Sequence, residues 1–236
     1  MRPAAVDNVR MAETSFVVPA TGVDLPARHY AADRPKATLV FAPGAGAGHD
    51  HPWMRARAAD LRARGVSVVT FDFPYKARQR RAPDKAPVLV EAFRAVMNAV
   101  ARRVPGPLLA GGKSMGGRMA TMLAAEPPLP ERLVGVVALG YPLHPPGKPE
   151  QLRVAHLPRM AVPVLVVQGT RDPFGGPDAI AAEWRRAGAE PTVVAIEDGG
   201  HGFEVPRRTR DQAETYAKVA DSVTNWLDTL LSASGQ

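Results

Sequence analysis

Six runs of mostly apolar residues recur along the chain, and segments with a helical spacing of apolar residues lie between most of them. Unbroken runs of this length, rich in valine, are typical of strands that are buried on both faces of a parallel sheet. The alternation predicts an α/β fold, with a mostly parallel, doubly wound sheet and helices on both of its faces. The predicted strands span residues 37–43, 66–74, 107–112, 133–142, 162–170 and 191–198, and the predicted helices span 53–65, 88–103, 115–126, 177–188 and 211–231.

The segment that precedes the first of these strands has a different pattern. Residues 15–32, SFVVPATGVDLPARHYAA, predict an antiparallel hairpin at the edge of the sheet. The chain has 236 residues, of which 45% are hydrophobic, which is enough to bury one sizeable core. No internal repeat or linker divides it, so we expect a single domain over residues 1–236.

Composition excludes several classes of protein. The chain has no cysteine, and therefore neither a disulfide framework nor a thiolate metal site. Residues 1–16 lack an apolar signal core and no run approaches the length of a membrane span, so a cytoplasmic protein without a membrane partner is expected. The net charge is +7, but the basic residues are scattered and the aromatic residues, at 6%, do not cluster among them. We therefore expect no nucleic-acid partner.

The stretch LLAGGKSMGGRMA can be interpreted in two ways. Gly112-Lys113-Ser114 matches the end of a phosphate-binding loop, and Gly112-x-Ser114-x-Gly116 matches the turn that presents a nucleophilic serine. A phosphate-binding loop needs a glycine five positions before Gly112, where this chain has Pro107, which has no N–H group. The spacing therefore favours the nucleophile turn.

The surrounding residues also suit such a nucleophile elbow, which joins a strand to a helix through a sharp turn. An apolar strand precedes Gly112, and a segment of good helix formers follows Ser114. The alternative is an ordinary glycine-rich turn in which the serine caps the helix. Because short motifs arise by chance, the elbow needs catalytic partners elsewhere in the chain.

Candidate partners lie at the ends of two later strands. Asp172 follows the fifth predicted strand and His201 follows the sixth. Functional groups gather at the carboxyl ends of strands in an open parallel sheet, so Ser114, Asp172 and His201 are expected to meet at one edge. Their order along the chain is that of a Ser-Asp-His triad. Asp198 and Asp72, which also follow strands, remain alternatives for the acid.

Four motifs, PGAGAGHD, GKSMGGRMA, GTRDPFG and GGHGF, together resemble those of the α/β-hydrolases. The chain is most similar to the dienelactone-hydrolase-like branch, and within it to a small cap-less subgroup that resembles a testis-expressed protein. The resemblance extends from about Ala37 to the C-terminus and implies an α/β-hydrolase fold without a large cap domain. The chain departs from the pattern at Ala42-Pro43, where a histidine is usual, and at Ser114, where dienelactone hydrolases have a cysteine.

The triad interpretation gives each residue a chemical role. Ser114 would attack an acyl group and form an acyl-enzyme, His201 would accept and return the proton, and Asp172 would orient the imidazole. The N–H group of Met115 is expected to form part of the oxyanion hole. The resemblance implies Ala45 as the second donor. The alternative is that the glycine-rich loop around Ala45 is only a flexible turn.

No cofactor or metal is expected. His49, Asp50 and His51 are consecutive in a loop, so their side chains point in different directions, and no second cluster joins them. They are expected to form a polar wall of the pocket or to cap the helix that follows.

The expected site is open to solvent. Residues 141–162 are too few for a helical cap domain, and the site is predicted to be lined by Tyr141, His144, Phe174 and Phe203. Lys113 beside the serine, and the basic segment 76–81, could favour an anionic substrate or could be exposed charge.

The function that follows is a carboxylesterase-like hydrolase for a small ester or thioester. The same triad serves acyl transfer, so an acyltransferase remains an alternative, as does a non-catalytic binding or complex-subunit module on the same scaffold. A monomer or a homodimer is expected.

Overall fold

The computed structural model describes residues 13–206, 208 and 210–234. It contains one sheet of eight strands, with the order β1-β2-β4-β3-β5-β6-β7-β8. The strands from β3 to β8 are parallel, whereas β1, β2 and β4 are joined antiparallel. Both the predicted parallel sheet and the predicted edge hairpin are confirmed. The strands are β1 (Glu13–Ala20), β2 (Val23–Tyr30), β3 (Ala37–Ala42), β4 (Val66–Phe71), β5 (Leu108–Lys113), β6 (Leu133–Leu139), β7 (Val164–Gly169) and β8 (Thr192–Ile196).

Helices cover both faces of the sheet, as predicted. Helices α1 and α6 pack on one face, and α3, α4 and α5 pack on the other. The helices are α1 (Pro52–Arg62), α2 (Pro74–Ala77), α3 (Ala86–Ala101), α4 (Met115–Ala124), α5 (Pro177–Arg186) and α6 (Gln212–Ser234).

The central strands show why the sequence forms this layered fold. All six residues of β3 are buried. Leu39 and Phe41 pack toward α1 and α6, whereas Val40 and Ala42 pack toward the opposite helices. A strand that alternates between two apolar layers must be apolar at every position, which explains the unbroken runs in the sequence.

The largest differences from the predicted elements lie just after the strands. Strand β4 ends at Phe71 and β6 ends at Leu139, each three residues before the predicted end. The residues that follow leave the sheet and form loops, and one of these loops contains the unpredicted short helix α2. Helices α2 and α3 each have proline in their first turn, where no N–H donor is needed.

The connection between β6 and β7 contains only a 3₁₀ turn at Leu157–Arg159, so this connection forms no large cap. Among the described residues, no helix has the length and apolarity to cross a membrane. The single-domain assignment remains a prediction, since it includes residues 1–12, 207, 209 and 235–236, which lie outside the described part.

Candidate active site

The Gly112–Gly116 stretch forms a sharp turn between β5 and α4. Ser114 stands between the two elements with φ 52° and ψ −114°, in the left-handed region that non-glycine residues rarely adopt. A Cβ atom on Gly112 would lie 2.5 Å from the carbonyl oxygen of Ala42, and one on Gly116 would collide with the same oxygen. Only glycine at both positions allows β3, β5 and α4 to approach this closely.

Ser114 begins a chain of two hydrogen bonds. Its Oγ lies 2.8 Å from Nε2 of His201, and Nδ1 of the same ring lies 2.8 Å from Oδ2 of Asp172. Since a carboxylate can only accept, Nδ1 donates to Asp172, and Nε2 is free to accept the hydroxyl proton of Ser114. The three side chains therefore meet at one edge of the sheet.

Asp172 is held in a closed polar pocket. Its side chain is 0% exposed, and its two oxygens also accept hydrogen bonds from Nε2 of Gln168 and from the N–H of Phe174, each at 2.9 Å. Gln168, on β7, also donates to the carbonyl oxygen of Gly175 at 2.7 Å. These donors fix the carboxylate and compensate its burial.

The loop that carries His201 fits tightly against the ends of β6 and β7. A Cβ atom on Gly140 would lie 2.8 Å from the carbonyl oxygen of His201, and one on Gly169 would collide with the carbonyl of Gly199. The ring of Phe174 contacts the imidazole edge-on, with centroids 4.6 Å apart. The position of the imidazole is therefore set by backbone packing as well as by Asp172.

The two alternative acids are engaged elsewhere. Asp198 pairs with Arg171 at 2.7 Å and with Arg210 at 3.4 Å. Asp72 accepts a hydrogen bond from the N–H of His49 at 2.6 Å and so holds the glycine-rich loop. Of the three candidate acids, Asp172 is the one that contacts His201 in the described structure.

Two hydrogen bonds anchor the glycine-rich loop at Gly46. The N–H of Gly46 donates to Oη of Tyr75 at 2.9 Å, and the carbonyl of Gly46 accepts from Nζ of Lys76 at 3.1 Å. Within the described part of the chain, no acceptor takes the N–H groups of Ala45 and Met115. Both residues line the cleft that also exposes Ser114.

Two clefts adjoin Ser114, and both are lined by Ala45 and Phe174 as well. The arginine cleft, of about 340 Å³, is lined by Ser114, Met115, Arg118, Arg153, Leu89 and Phe174 among others. The tryptophan cleft, of about 360 Å³, is lined by Ser114, His201, Trp53, Met54, Lys113 and Phe174 among others. Ser114 thus borders two clefts that differ in most of their other lining residues.

The structure corrects part of the predicted substrate lining. Phe174 lines both clefts, but Tyr141 and Phe203 are 0% exposed and line neither. The prediction failed because the chain turns inward after β6 at Gly140, where φ is +66°. This turn buries Tyr141 against the ring of Trp184, at a centroid distance of 5.0 Å.

The side chains of Phe203 and His144 lie at the margin of the site. Phe203 stacks on Trp53 beneath the tryptophan cleft, with centroids 6.5 Å apart. His144 is half-buried beside Phe174, 6.2 Å between ring centroids, and lines neither cleft. Sequence reasoning missed Trp53, which α1 brings to the site from a distant part of the chain.

The basic segment 76–81 does not converge on the serine. Arg78 donates to the carbonyl of Thr21 at 2.7 Å, and Arg80 pairs with Asp84. These contacts hold the edge hairpin and the loop before α3. The segment is therefore a structural and exposed group of charges.

Lys113, by contrast, is half-buried beside the site, with its ammonium nitrogen buried. Its Nζ has no hydrogen-bond partner among the described residues and lies 6.0 Å from the centre of the Trp53 ring. Burial lowers the pKa of Lys113 from 10.5 to about 8, although Asp172 and Glu204 act in the opposite direction. The folded protein thus carries a desolvated ammonium group at neutral pH.

We expect Lys113→Met to raise the melting temperature at about pH 7 and to lose this advantage near pH 10. The folded pKa of Lys113 lies below its unfolded value of 10.5, so the unfolded chain binds more protons between about 8 and 10.5. The wild type therefore gains stability as the pH rises through this window, and the methionine variant does not. Thermal unfolding at both pH values measures the effect, with exposed Lys148→Met as the control. An equal shift at both pH values would contradict the assignment.

Two of the three consecutive polar residues after the glycine-rich loop have separate hydrogen-bond partners. Nδ1 of His51 accepts the N–H of Trp53 at 3.2 Å and caps α1, and His49 is held by Asp72. No group of three or more metal-ligating side chains occurs within the described residues.

Comparison with known families agrees with this architecture. The sequence model of the alpha/beta hydrolase domain matches residues 35–228, which is most of the chain. The chain belongs to the α/β-hydrolase family. The matched residues include Ser114, Asp172 and His201.

Solved structures of α/β-hydrolases share the fold. A serine hydrolase homologue from Coxiella burnetii is 17% identical, with a TM-score of 0.71 over 90% of this chain and 96% of that one. A dienelactone hydrolase from Anabaena variabilis is 21% identical, with a TM-score of 0.69 over 92% and 97%. A serine hydrolase without a lid from Xanthomonas campestris is 19% identical, with a TM-score of 0.68 over 91% and 94%. These α/β-hydrolases resemble the present chain over its whole fold.

Proposed function

We propose that this α/β-hydrolase is a serine enzyme that cleaves ester or thioester bonds of a small acyl substrate. The observation that carries the proposal is the continuous hydrogen-bonded chain from Ser114 through His201 to Asp172, with both contacts at 2.8 Å. The chain begins at a serine in a strained turn, beside two open clefts. Backbone strain at a polar residue that lines a cleft is typical of a functional position.

In the acylation step, Nε2 of His201 accepts the hydroxyl proton of Ser114 while Oγ attacks the acyl carbon. The carbonyl π electrons move onto the oxygen, which becomes an oxyanion. When the tetrahedral intermediate collapses, the bond to the leaving group breaks and the imidazolium returns the proton to it. The products are the acyl-enzyme on Ser114 and a free alcohol or thiol.

Deacylation repeats the same steps with water. His201 accepts a proton from water, the hydroxide attacks the acyl carbon, and Ser114 leaves with the proton that the imidazolium returns. An alcohol, thiol or amine in place of water would give acyl transfer. Asp172 stabilises the imidazolium in both halves of the reaction and does not take up a proton.

The oxyanion is proposed to be bound by the N–H groups of Ala45 and Met115. Both groups are without acceptors in the described structure, and both border Ser114. The bonds of Gly46 to Tyr75 and Lys76 hold the loop in place before substrate binds. Donors that are fixed in advance stabilise developing charge without reorganisation.

A fluorophosphonate probe tests the proposal directly. We expect stoichiometric phosphonylation, detected as a mass increase on the peptide that contains Ser114, because only an activated serine displaces fluoride from the probe. Ser114→Ala should remain unlabelled, and Ser222→Ala, which changes a half-buried serine of α6 whose hydroxyl donates to the carbonyl of Lys218, should be labelled like the wild type. A folded protein that the probe leaves unmodified would instead be a non-catalytic binding module.

A further inference from the structure

Two guanidinium groups line the arginine cleft, and no carboxylate in the described part of the chain forms an ion pair with either. Arg118 and Arg153 belong to different parts of the chain, α4 and the β6–β7 connection, and both are half-buried. Nε of Arg118 is buried and has no hydrogen-bond partner in the described structure. Among the described residues, neither guanidinium takes part in an ion pair, although eight ion pairs of other arginines occur there.

The titratable groups beside the cleft form no ion pair with Arg118 or Arg153 among the described residues. Asp84, the acidic residue that lines the cleft, pairs with Arg80 through Oδ1, and its buried Oδ2 has no hydrogen-bond partner in the described structure. The pKa of His156 is lowered to about 4 by burial, then by Arg118 and Arg159, so this imidazole is neutral. Burial, and next the like charge of Arg118, lower the pKa of Arg153, as expected for two cationic groups that line one cleft.

Hydrogen bonds of the backbone groups hold both arginines in place. The N–H of Arg118 donates to the carbonyl of Ser114 at 3.0 Å, so Arg118 lies one helical turn from the reacting hydroxyl. The N–H of Arg153 donates to Leu143 at 2.8 Å, and its carbonyl accepts from Oη of Tyr141 at 2.6 Å. Thus the buried Tyr141, which does not line the cleft, fixes a residue that does.

The position of His201 decides which part of the substrate this cleft would receive. On the proposed mechanism, His201 must reach the leaving-group atom to protonate it. His201 lines the tryptophan cleft and not the arginine cleft. On this mechanism the leaving group would occupy the tryptophan cleft, which leaves the arginine cleft, lined by Leu89, Arg118 and Arg153, for the acyl chain.

We propose that the arginine cleft is an anion subsite for the acyl group, so that the preferred substrate is an acyl ester or thioester whose acyl chain ends in a carboxylate. The proposal rests on the proposed hydrolase function. Two guanidinium groups in a cleft with a mostly apolar lining can donate to one carboxylate, and charge-assisted hydrogen bonds of this kind are among the strongest in proteins. The carboxylate would also relieve the repulsion between Arg118 and Arg153.

Matched pairs of p-nitrophenyl esters test the subsite. Each half ester of succinic, glutaric or adipic acid is compared with the neutral alkanoate ester of the same chain length. We expect the wild type to have a kcat/KM about 10–100-fold higher for the best half ester than for its neutral counterpart. Arg118→Gln and Arg153→Gln should each reduce this preference by about tenfold or more, and Arg78→Gln, in the exposed basic segment, should keep it.

Two kinetic results would overturn the subsite without affecting the hydrolase proposal. One is hydrolysis of the neutral esters without preference for any half ester. The other is a pair of arginine variants that lose activity toward both members of a pair equally, since that pattern indicates general damage to the site.

Binding to the inactive Ser114→Ala variant keeps the inference testable even if no ester is turned over. Calorimetry should detect monomethyl adipate and not methyl hexanoate, and adding Arg118→Gln to this variant should weaken binding by about tenfold or more. Equal binding of the two esters, or no binding of either, would overturn the anion subsite. Failure of fluorophosphonate labelling, in contrast, would overturn the hydrolase function itself.

Discussion

Replacement of Ser114 by alanine is expected to lower kcat for p-nitrophenyl esters by about a millionfold, to the level that binding and the oxyanion donors alone sustain. Without Oγ, no covalent acyl-enzyme forms and His201 has no hydroxyl to deprotonate. The contributions of catalytic residues that act as a unit are not additive. Removal of the nucleophile therefore removes most of the rate acceleration that the whole triad provides.

The fold should survive this change. Alanine keeps the Cβ atom that Ser114 already carries at its strained φ of 52°. Among the described residues, the hydroxyl that is lost forms one side-chain hydrogen bond, to His201. We therefore expect an unaltered circular dichroism spectrum and a melting temperature equal to or above that of the wild type, as is common when a functional group is removed from a strained site. A purified variant that retains turnover would exclude Ser114 as the nucleophile.

The sequence was sufficient to predict the sheet because its strands are sandwiched between two helical layers. Val40 and Phe41 face opposite layers, and both are 0% exposed, so apolar residues run without interruption and are easily detected. The positions just after the strands were harder to predict. There the chain direction depends on one residue, such as Gly140 with φ +66°, and the sequence does not reveal which way the next side chain points.

In the candidate site, too, some residues could be predicted from the sequence and others could not. Ser114, Asp172 and His201 were predicted together because the carboxyl ends of parallel strands share one edge of the sheet. Trp53 and Arg153 were missed, since neither follows a strand and each reaches the site through tertiary packing. Arg118 had a usable signal, since a residue four positions after an elbow serine lies on the same helical face.

Asp172→Asn should lower kcat/KM by about ten-thousandfold, the loss seen when the triad aspartate of a serine protease becomes asparagine. Both oxygens of Asp172 accept hydrogen bonds, Oδ1 from Phe174 N and Oδ2 from Gln168 and His201. An asparagine that keeps its oxygen toward Phe174 N turns its NH₂ group toward His201. Nδ1 must then accept, so Nε2 carries the proton and can no longer take one from Ser114.

Asp198→Asn is the matched control, because it makes the same chemical change at the other strand-end aspartate. Asp198 forms ion pairs with Arg171 and Arg210 at side chains that are 59% and 47% exposed, and such exposed pairs contribute little. We expect kcat/KM to change by less than about twofold. If Asp198→Asn disables the enzyme while Asp172→Asn stays active, the assigned acid is wrong. If neither change lowers kcat/KM, His201 is oriented by the packing of its loop against Gly140 and Phe174 instead of by a carboxylate.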